Sequence, residues 1–384
     1  MAKKLKNAVE SRDGNMPSSK SSPCAKPQLR FSSGKYPPLI LWICLAFIFC
    51  RCREKDEILH LPVASYLNKV EEVPLEDFAA SVKKVQLETS DSILIAEIYK
   101  VFQTDEFFIV MHLFRISVFD KEGKYLNDIS RKGQGPHEFN GISSIFIKDS
   151  LFYLYDTSHK EVSVFTFGGE FVRSFSTGNY YNLIFPLQDD DYVAFQLNIS
   201  GKEKKKLIFF DESKELNAIP YDREYAKPKN VLLIFEMEGH VYSHDGKDYF
   251  KEQYSDTLFT IQPGHTLEPR LIFDLGRYQP TLERKHALTD VNYGWDDMAH
   301  LSITGETDSY LFFNVRINRE THAYYWDKQR KSLHNVRFTY PRDYGYEGAF
   351  IPGAVSEDRR NLISIEEDTV GGNNPAIIIA TLKK

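Results

Sequence analysis

The chain has 384 residues, 14% of them aromatic and 42% hydrophobic, with a net charge of −6. That composition excludes intrinsic disorder, which is poor in aromatics, and collagen-like or low-complexity chains. Residues 1–40 carry eight basic and two acidic side chains, so residues 41–384 carry −12. A body this acidic argues against a nucleic-acid partner.

The first element is an apolar, uncharged run, YPPLILWICLAFIFC, ending at Cys50. From Pro37 it spans 14 residues, roughly 21 Å as a helix. A bilayer core needs about 20 apolar residues. The run therefore has the length of a signal-peptide h-region, and basic sequence precedes it. A start at Met16 would shorten that basic region. All four cysteines (Cys24, Cys44, Cys50, Cys52) lie in the first 52 residues, so the body holds no disulfide or thiolate metal site. Residues 1–52 are read as a signal and anchor segment and 53–80 as a tether.

The body, 81–384, repeats. Val118-Phe119-Asp120 with its following turn, Val164-Phe165-Thr166, and Phe209-Phe210-Asp211 recur at spacings of 46 and 45 residues. A weaker copy is Tyr324-Tyr325-Trp326-Asp327. The first unit reads as four strands: Ile95–Gln103, Phe107–His112, Arg115–Asp120 and Tyr125–Ser130. Four short strands in a period of about 45 is the sequence form of a β-propeller blade. A β-sandwich pair would show no such period, and a β-helix a much shorter one. The body then accommodates six blades, with aromatics packed between them. Asp256–Phe259 falls in the fourth. Arg277–Leu301 lacks alternation and reads as a long loop or short helix over one face. Val82–Leu87 has no blade of its own and is expected to pair with Ala376–Leu382, closing the ring. The predicted fold is all-β, a six-bladed propeller of four-stranded antiparallel blades.

LETSDSILIAEIYKV (Leu87–Val101) and ISVFDKEGKYLNDISRKGQGPHEF (Ile116–Phe139) are similar to the first-strand region, the "FDKNGKF" hairpin and the "GRKGQGPGEY" loop of the six-bladed β-propeller lipoprotein family of Bacteroidetes. His137 stands where the loop usually has Gly, and Phe139 where it has Tyr. EPRLIFDLGRYQ (Glu268–Gln279) resembles "PRYVIDFGKY", and NNPAIIIATLKK (Asn373–Lys384) resembles "NPVLVIAKLK". The resemblance covers about 300 residues. It implies a bacterial envelope lipoprotein and brings no activity with it. Signal peptides that end on a Cys resemble lipoprotein signals, in which that Cys is lipidated. Cys50 is the first candidate and Cys52 the second. Both lack the small residue the pattern wants before the Cys. A lipid anchor would make the membrane a partner.

Among the candidate sites, the loop Arg131–Phe139 comes first. Gly133 and Gly135 permit positive φ and close approach, and Pro136 fixes a turn. Arg131, Lys132, Gln134, His137 and Glu138 supply polar tips. Two readings fit, a binding loop or a structural crossover between the first two blades, and turn geometry favours the second. Trp295, in Tyr293-Gly294-Trp295-Asp296-Asp297, would line a sugar-binding face or pack a capping loop. His240 and His244, with Asp245 and Asp248, sit on a strand and its turn. Four residues along a strand separate the two histidines by about 13 Å, too far to share one zinc. Asp189-Asp190-Asp191 reads as an exposed turn. There is no G-x-S-x-G, H-E-x-x-H or phosphate loop. No catalytic residue, metal or cofactor is expected. The function expected is binding of a glycan, peptide or protein, with a propeller lyase or hydrolase, or a structural envelope subunit, as rivals.

Overall fold

The computed structural model describes residues 58–383, except 114, 226–237, 288–296, 342–347 and 369–370. The chain enters through β1 (Leu59–Leu61), α1 (Val63–Tyr66), β2 (Val70–Pro74), α2 (Leu75–Phe78) and β3 (Ala79–Gln86). Blade 1 is β4 (Ile98–Gln103), β5 (Phe107–His112), β6 (Arg115–Asp120) and β7 (Tyr125–Arg131). Blade 2 is β8 (Ile142–Lys148), β9 (Leu151–Asp156), β10 (Glu161–Phe165) and β11 (Phe171–Ser176). Blade 3 is β12 (Leu183–Pro186), β13 (Tyr192–Phe195), β14 (Lys205–Phe210) and β15 (Glu215–Pro220). Blade 4 is β16 (Gly239–His244), β17 (Lys247–Glu252), β18 (Thr257–Gln262) and β19 (Thr266–Phe273). A short helix α3 (Leu282–Ala287) lies before blade 5, within the segment read as a loop or short helix. Blade 5 is β20 (His300–Glu306), β21 (Tyr310–Ile317), β22 (Glu320–Asp327) and β23 (Ser332–Thr339), with β24 (Ala349–Phe350) pairing on β23. Blade 6 is β25 (Ala354–Val355), β26 (Asn361–Glu366), β27 (Ala376–Leu382) and, last, β3.

Ring closure is as expected. β3 pairs antiparallel with β27, Val82 opposite Ala380 and Gln86 opposite Ala376. The six blades generate six hydrophobic clusters, one between each pair of neighbours. Phe146, Tyr155 and Phe175 of blade 2 meet Tyr192 and Phe210 of blade 3, and Val85 and Ile377 of blade 6 meet Phe108 and Phe119 of blade 1. The aromatic excess is largely the filling of these layers.

The repeated unit has a local cause. After the third strand of blades 1, 2, 3 and 5 a side-chain oxygen caps the turn. Asp120 Oδ1 accepts the N–H of Glu122 and Lys124 at 3.0 and 2.8 Å. Asp327 Oδ1 does the same for Gln329 and Arg330 at 2.9 and 2.8 Å. Thr166 Oγ1 accepts the Glu170 N–H at 3.1 Å. Short oxygen side chains favour such turns because they satisfy N–H groups that the strand ladder leaves over.

The tether expected over 53–80 needs correction from residue 59 onward. β1 pairs in parallel with β19, Leu59 opposite Leu271. β2 pairs in parallel with β23, Val70 opposite Asn335. Leu61, Val63 and Leu75 are fully buried in the clusters between blades 4 and 5 and between blades 5 and 6. Residues 59–86 are thus a strap along the outer edges of blades 4, 5 and 6. It covers strand edges that would otherwise offer unpaired N–H and C=O groups. Among the described residues no helix is long and apolar enough to cross a membrane. The apolar run ending at Cys50, and Cys52, lie outside the described residues.

Strand alternation sorts the loops onto two faces. Connections from an outer strand to the next blade, including 132–141, share one face with the turns between second and third strands. The hairpins at 104–106, 188–191 and 245–246 lie on the other.

Candidate functional site

The loop after β7 folds back on itself. Gly133 N–H donates to the Phe139 carbonyl at 3.0 Å and Phe139 N–H to the Arg131 carbonyl at 3.1 Å. Its centre is the Glu138 carboxylate, which accepts from Arg131 Nε at 2.7 Å and from Gly135 N–H at 2.8 Å. Those bonds hold Glu138 below the usual carboxylate range, Arg131 contributing most. The glycines act through close approach and not through positive φ. A Cβ on Gly133 would overlap the Glu138 carboxylate. The left-handed residue is His137, at φ +63°, where the similar family loop carries Gly. Of the residues expected to bind, Arg131 is occupied by Glu138. Lys132 pairs with Phe139 in an isolated bridge, and Gln134 is exposed at the tip. Only His137, itself exposed, reaches across to the next blade. Its ring stacks on Phe171 of blade 2 at 3.8 Å between centroids. Trp295 lies outside the described residues.

Beneath His137 is a cleft of about 240 Å³, lined by Glu138, Asp156, His159, Glu161, Ser163, Phe165, Phe171 and Ser174 among others. Asp156, at the end of β9, is buried and organises its floor. It accepts the Asn140 and Ser158 N–H groups at 2.8 Å each and His159 Nδ1 at 3.0 Å. Burial pushes the Asp156 carboxyl up, but these donors outweigh it and leave the group below its ordinary value. With Nδ1 engaged, the His159 ring presents Nε2 outward. Phe171 meets Phe165 edge-on at 5.9 Å and keeps 38% of its surface exposed, unusual for a Phe on a strand. Sequence reading missed Asp156, His159, Glu161 and Phe171. They come from three strands and the turn between two of them, and the available signal was only the two-residue alternation that puts Glu161, Ser163 and Phe165 on one face.

A second cleft, of about 300 Å³, lies on blade 1 between Asp91, Ser92, Leu94, His112, Leu113 and Arg115. His112 Nε2 is 3.0 Å from Ser117 Oγ. This pair is not a nucleophile and its base. Ser117 is fully buried and its hydroxyl donates to Asp128 Oδ1 at 2.7 Å, so it accepts from His112. Burial also lowers His112 to about 4.

The other candidates resolve into contacts between blades. His240 and His244 sit on β16 as expected, His240 near the axis and His244 beside Lys328. Asp191 bonds His265 Nε2 of the neighbouring blade at 3.0 Å, and Asp190 pairs with Lys148 at 2.9 Å. Asp189, Asp191 and His265 place their donor atoms within 4.8 Å of one another. The direct Asp191–His265 bond accounts for that closeness.

No curated protein sequence matches this chain. Among solved structures it is similar to a candidate exported protein of Bacteroides fragilis. The TM-score is 0.64 at 15% identity, over 82% of this chain and 98% of that one. It is also similar to a DUF4221 family member from Bacteroides vulgatus, with a TM-score of 0.51 at 10% identity, over 79% and 97%. At such identities the likeness concerns the fold. Residues 59–373 match the family model described as "Domain of unknown function (DUF4934)". That match runs from the first strand of the strap into the last blade, and the chain therefore belongs to the DUF4934 family.

Proposed function

We propose that the protein is an exported, envelope-anchored binding module that holds one unit of a glycan in the cleft under the Arg131–Phe139 loop. The observation that carries this is the pairing, in one cleft, of a half-exposed aromatic ring with hydrogen-bonding groups of both kinds. Phe171 is held in orientation by His137 and Phe165. Glu161, His159, Ser163 and Ser174 surround it. A pyranose offers C–H groups to a ring face and hydroxyls to carboxylate, imidazole and serine. The cleft's size falls below the roughly 300–1,000 Å³ of drug-sized sites, which suits a single sugar residue. Export and anchoring rest on the basic segment, the short apolar run and Cys50 or Cys52, in keeping with the exported relative from Bacteroides fragilis.

Glycan-array screening followed by calorimetry tests the binding. Phe171→Ala and Glu161→Gln should each weaken the selected glycan about tenfold or more with the circular dichroism unchanged. Wild-type affinity in both variants, or no glycan bound, sinks the reading. Labelling with a palmitate analogue tests the anchor. Cys50→Ala should abolish labelling; loss only in Cys52→Ala moves the anchor, and labelling that survives both refutes it.

A further inference from the structure

The innermost strands bring a second set of polar groups to the propeller axis, away from the cleft. Lys100 lies on β4 of blade 1, and its Nζ donates to the Ile145 carbonyl on β8 of blade 2 at 3.2 Å. The ammonium also lies 4.7 Å from the centre of the Phe102 ring. Among the described residues no carboxylate pairs with it. An ammonium crowded by protein, with three donors and one protein acceptor, is short of partners, a costly state away from bulk water. Other polar groups on the innermost strands are equally short of partners. Ser143 Oγ, Gln103 Oε1 and His240 Nδ1 are buried without a hydrogen bond. Ser143 stands two residues before Ile145. His240 comes from β16 of blade 4, opposite blade 1 in the ring, and still feels the Lys100 charge. Glu357, from the first hairpin of blade 6, donates its backbone N–H to the Gln103 carbonyl at 3.4 Å.

Two further features distinguish the place. Both β4 and β8 shift register at equivalent positions, between Ile98 and Lys100 and between Ile142 and Ser144. Bulges of this kind re-aim side chains and gather near sites. Lys100 and His240 keep partial solvent access, and Glu357 is exposed. Burial nevertheless lowers Lys100 to about 8, with Glu357 partly offsetting it. It lowers His240 to about 4, helped by the Lys100 charge. It raises Glu357, against the pull of Arg359 and Lys100.

We propose that this axial channel is a second binding site and that it takes a small carboxylate, held by the Lys100 ammonium at the level of the Ile145 carbonyl. A carboxylate supplies the acceptors that Lys100 lacks. Ser143 and neutral His240 each have a donor to offer it. The charged or titratable groups acting on Lys100 are Glu357 from blade 6 and His240 from blade 4. Only Glu357 is an anion, and it makes no ion pair with Lys100. Binding must therefore raise the Lys100 pKa and weaken as that lysine deprotonates.

The test is ¹³C NMR of the full-length chain in detergent after reductive methylation of lysines, with Lys100 assigned from Lys100→Arg. Acetate and glucuronate are the probes, with phosphate and methyl acetate as comparisons. Acetate or glucuronate should move the Lys100 resonance saturably and raise its pKa. Affinity should fall about tenfold per pH unit above about 8. Lys100→Met should abolish the binding and leave glycan binding in the cleft intact; Phe171→Ala should do the reverse. Should Lys100→Met fail to fold, Ser143→Ala should weaken acetate several-fold. A Lys100 resonance unmoved by either probe, equal binding by phosphate or methyl acetate, or full affinity in these variants overturns the proposal.

Discussion

Glu306→Gln is the most informative perturbation of the fold, because one carboxylate joins two blades. Glu306 ends β20 of blade 5 and its side chain is fully buried. Arg270, on β19 of blade 4, donates to both oxygens at 2.7 and 2.5 Å. Tyr242 of blade 4 donates its hydroxyl at 2.8 Å, and Lys328 lies 2.6 Å from Oε1. Burial alone would raise the carboxyl. The bonds and charges of Arg270 and Lys328 outweigh burial and hold it at about 2 against an ordinary 4.5. That difference corresponds to roughly 3 kcal/mol, within the range for breaking a buried pair, about 3–5 kcal/mol. Because the folded pKa is depressed, the stabilisation is fully present above about 4.5. It is lost as pH falls through about 2. Urea unfolding of wild type and Glu306→Gln at neutral pH should differ by roughly 3 kcal/mol. The gap should close as pH is lowered through that window, since protonated Glu306 resembles glutamine. Equal stability at neutral pH, or a gap independent of pH, would refute the reasoning.

Three other changes probe the ring. Gly123→Ala places a Cβ against the Gln86 carbonyl of β3 at φ +87° and should cost about 1–3 kcal/mol in denaturant; Gly178→Ala, at φ +67° with open space around it, should cost only about 1. Leu61→Ala empties a fully buried position between blades 4 and 5, and should cost about 2–5 kcal/mol and speed proteolysis within residues 59–74. Asn374→Ala removes the acceptor of the Ile95 N–H at 2.7 Å and the donor to the Ile93 carbonyl at 3.0 Å. Unfolding should become easier by about 1–3 kcal/mol for each group left unmade, and hydrogen exchange at Ile95 should accelerate most.

What could be read in the sequence follows from how local its causes are. The hairpins were legible because Asp120 or Asp327 caps its own turn within three or four residues. Ring closure was legible because Val82–Leu87 is a strand with no neighbour to pair with. The strap was not. Leu59–Leu61 is three residues long, and its partner Leu271–Phe273 is some 200 residues away. Parallel pairing at that distance leaves no turn signal and no period. The loop was singled out for its glycines and charged tips, yet Arg131 turned out to brace Glu138, and the residue that faces the cleft is His137. Charge shows that a side chain is polar; only the packing of Glu138 against Gly133 decides which side chain remains free. Lys100 was read simply as one residue of an alternating strand, because the bulge that re-aims that strand depends on β5.

The strap also divides the ring into two halves. β1, β2 and β3 add to blades 4, 5 and 6, whereas among the described residues the outer strands of blades 1, 2 and 3 have no added strand. Leu126, Val172 and Leu216, the second residues of β7, β11 and β15, remain 37–45% exposed. A pull or fraying that enters from the N-terminal side meets blades 4–6 first, where Leu61, Val63 and Leu75 must leave buried positions before β3 can detach from β27. The cleft under the Arg131–Phe139 loop lies between blades 1 and 2, whose mutual contacts involve Phe139, Phe152 and Phe165 but no residue of the strap. The strap and the cleft therefore lie on opposite halves of the ring.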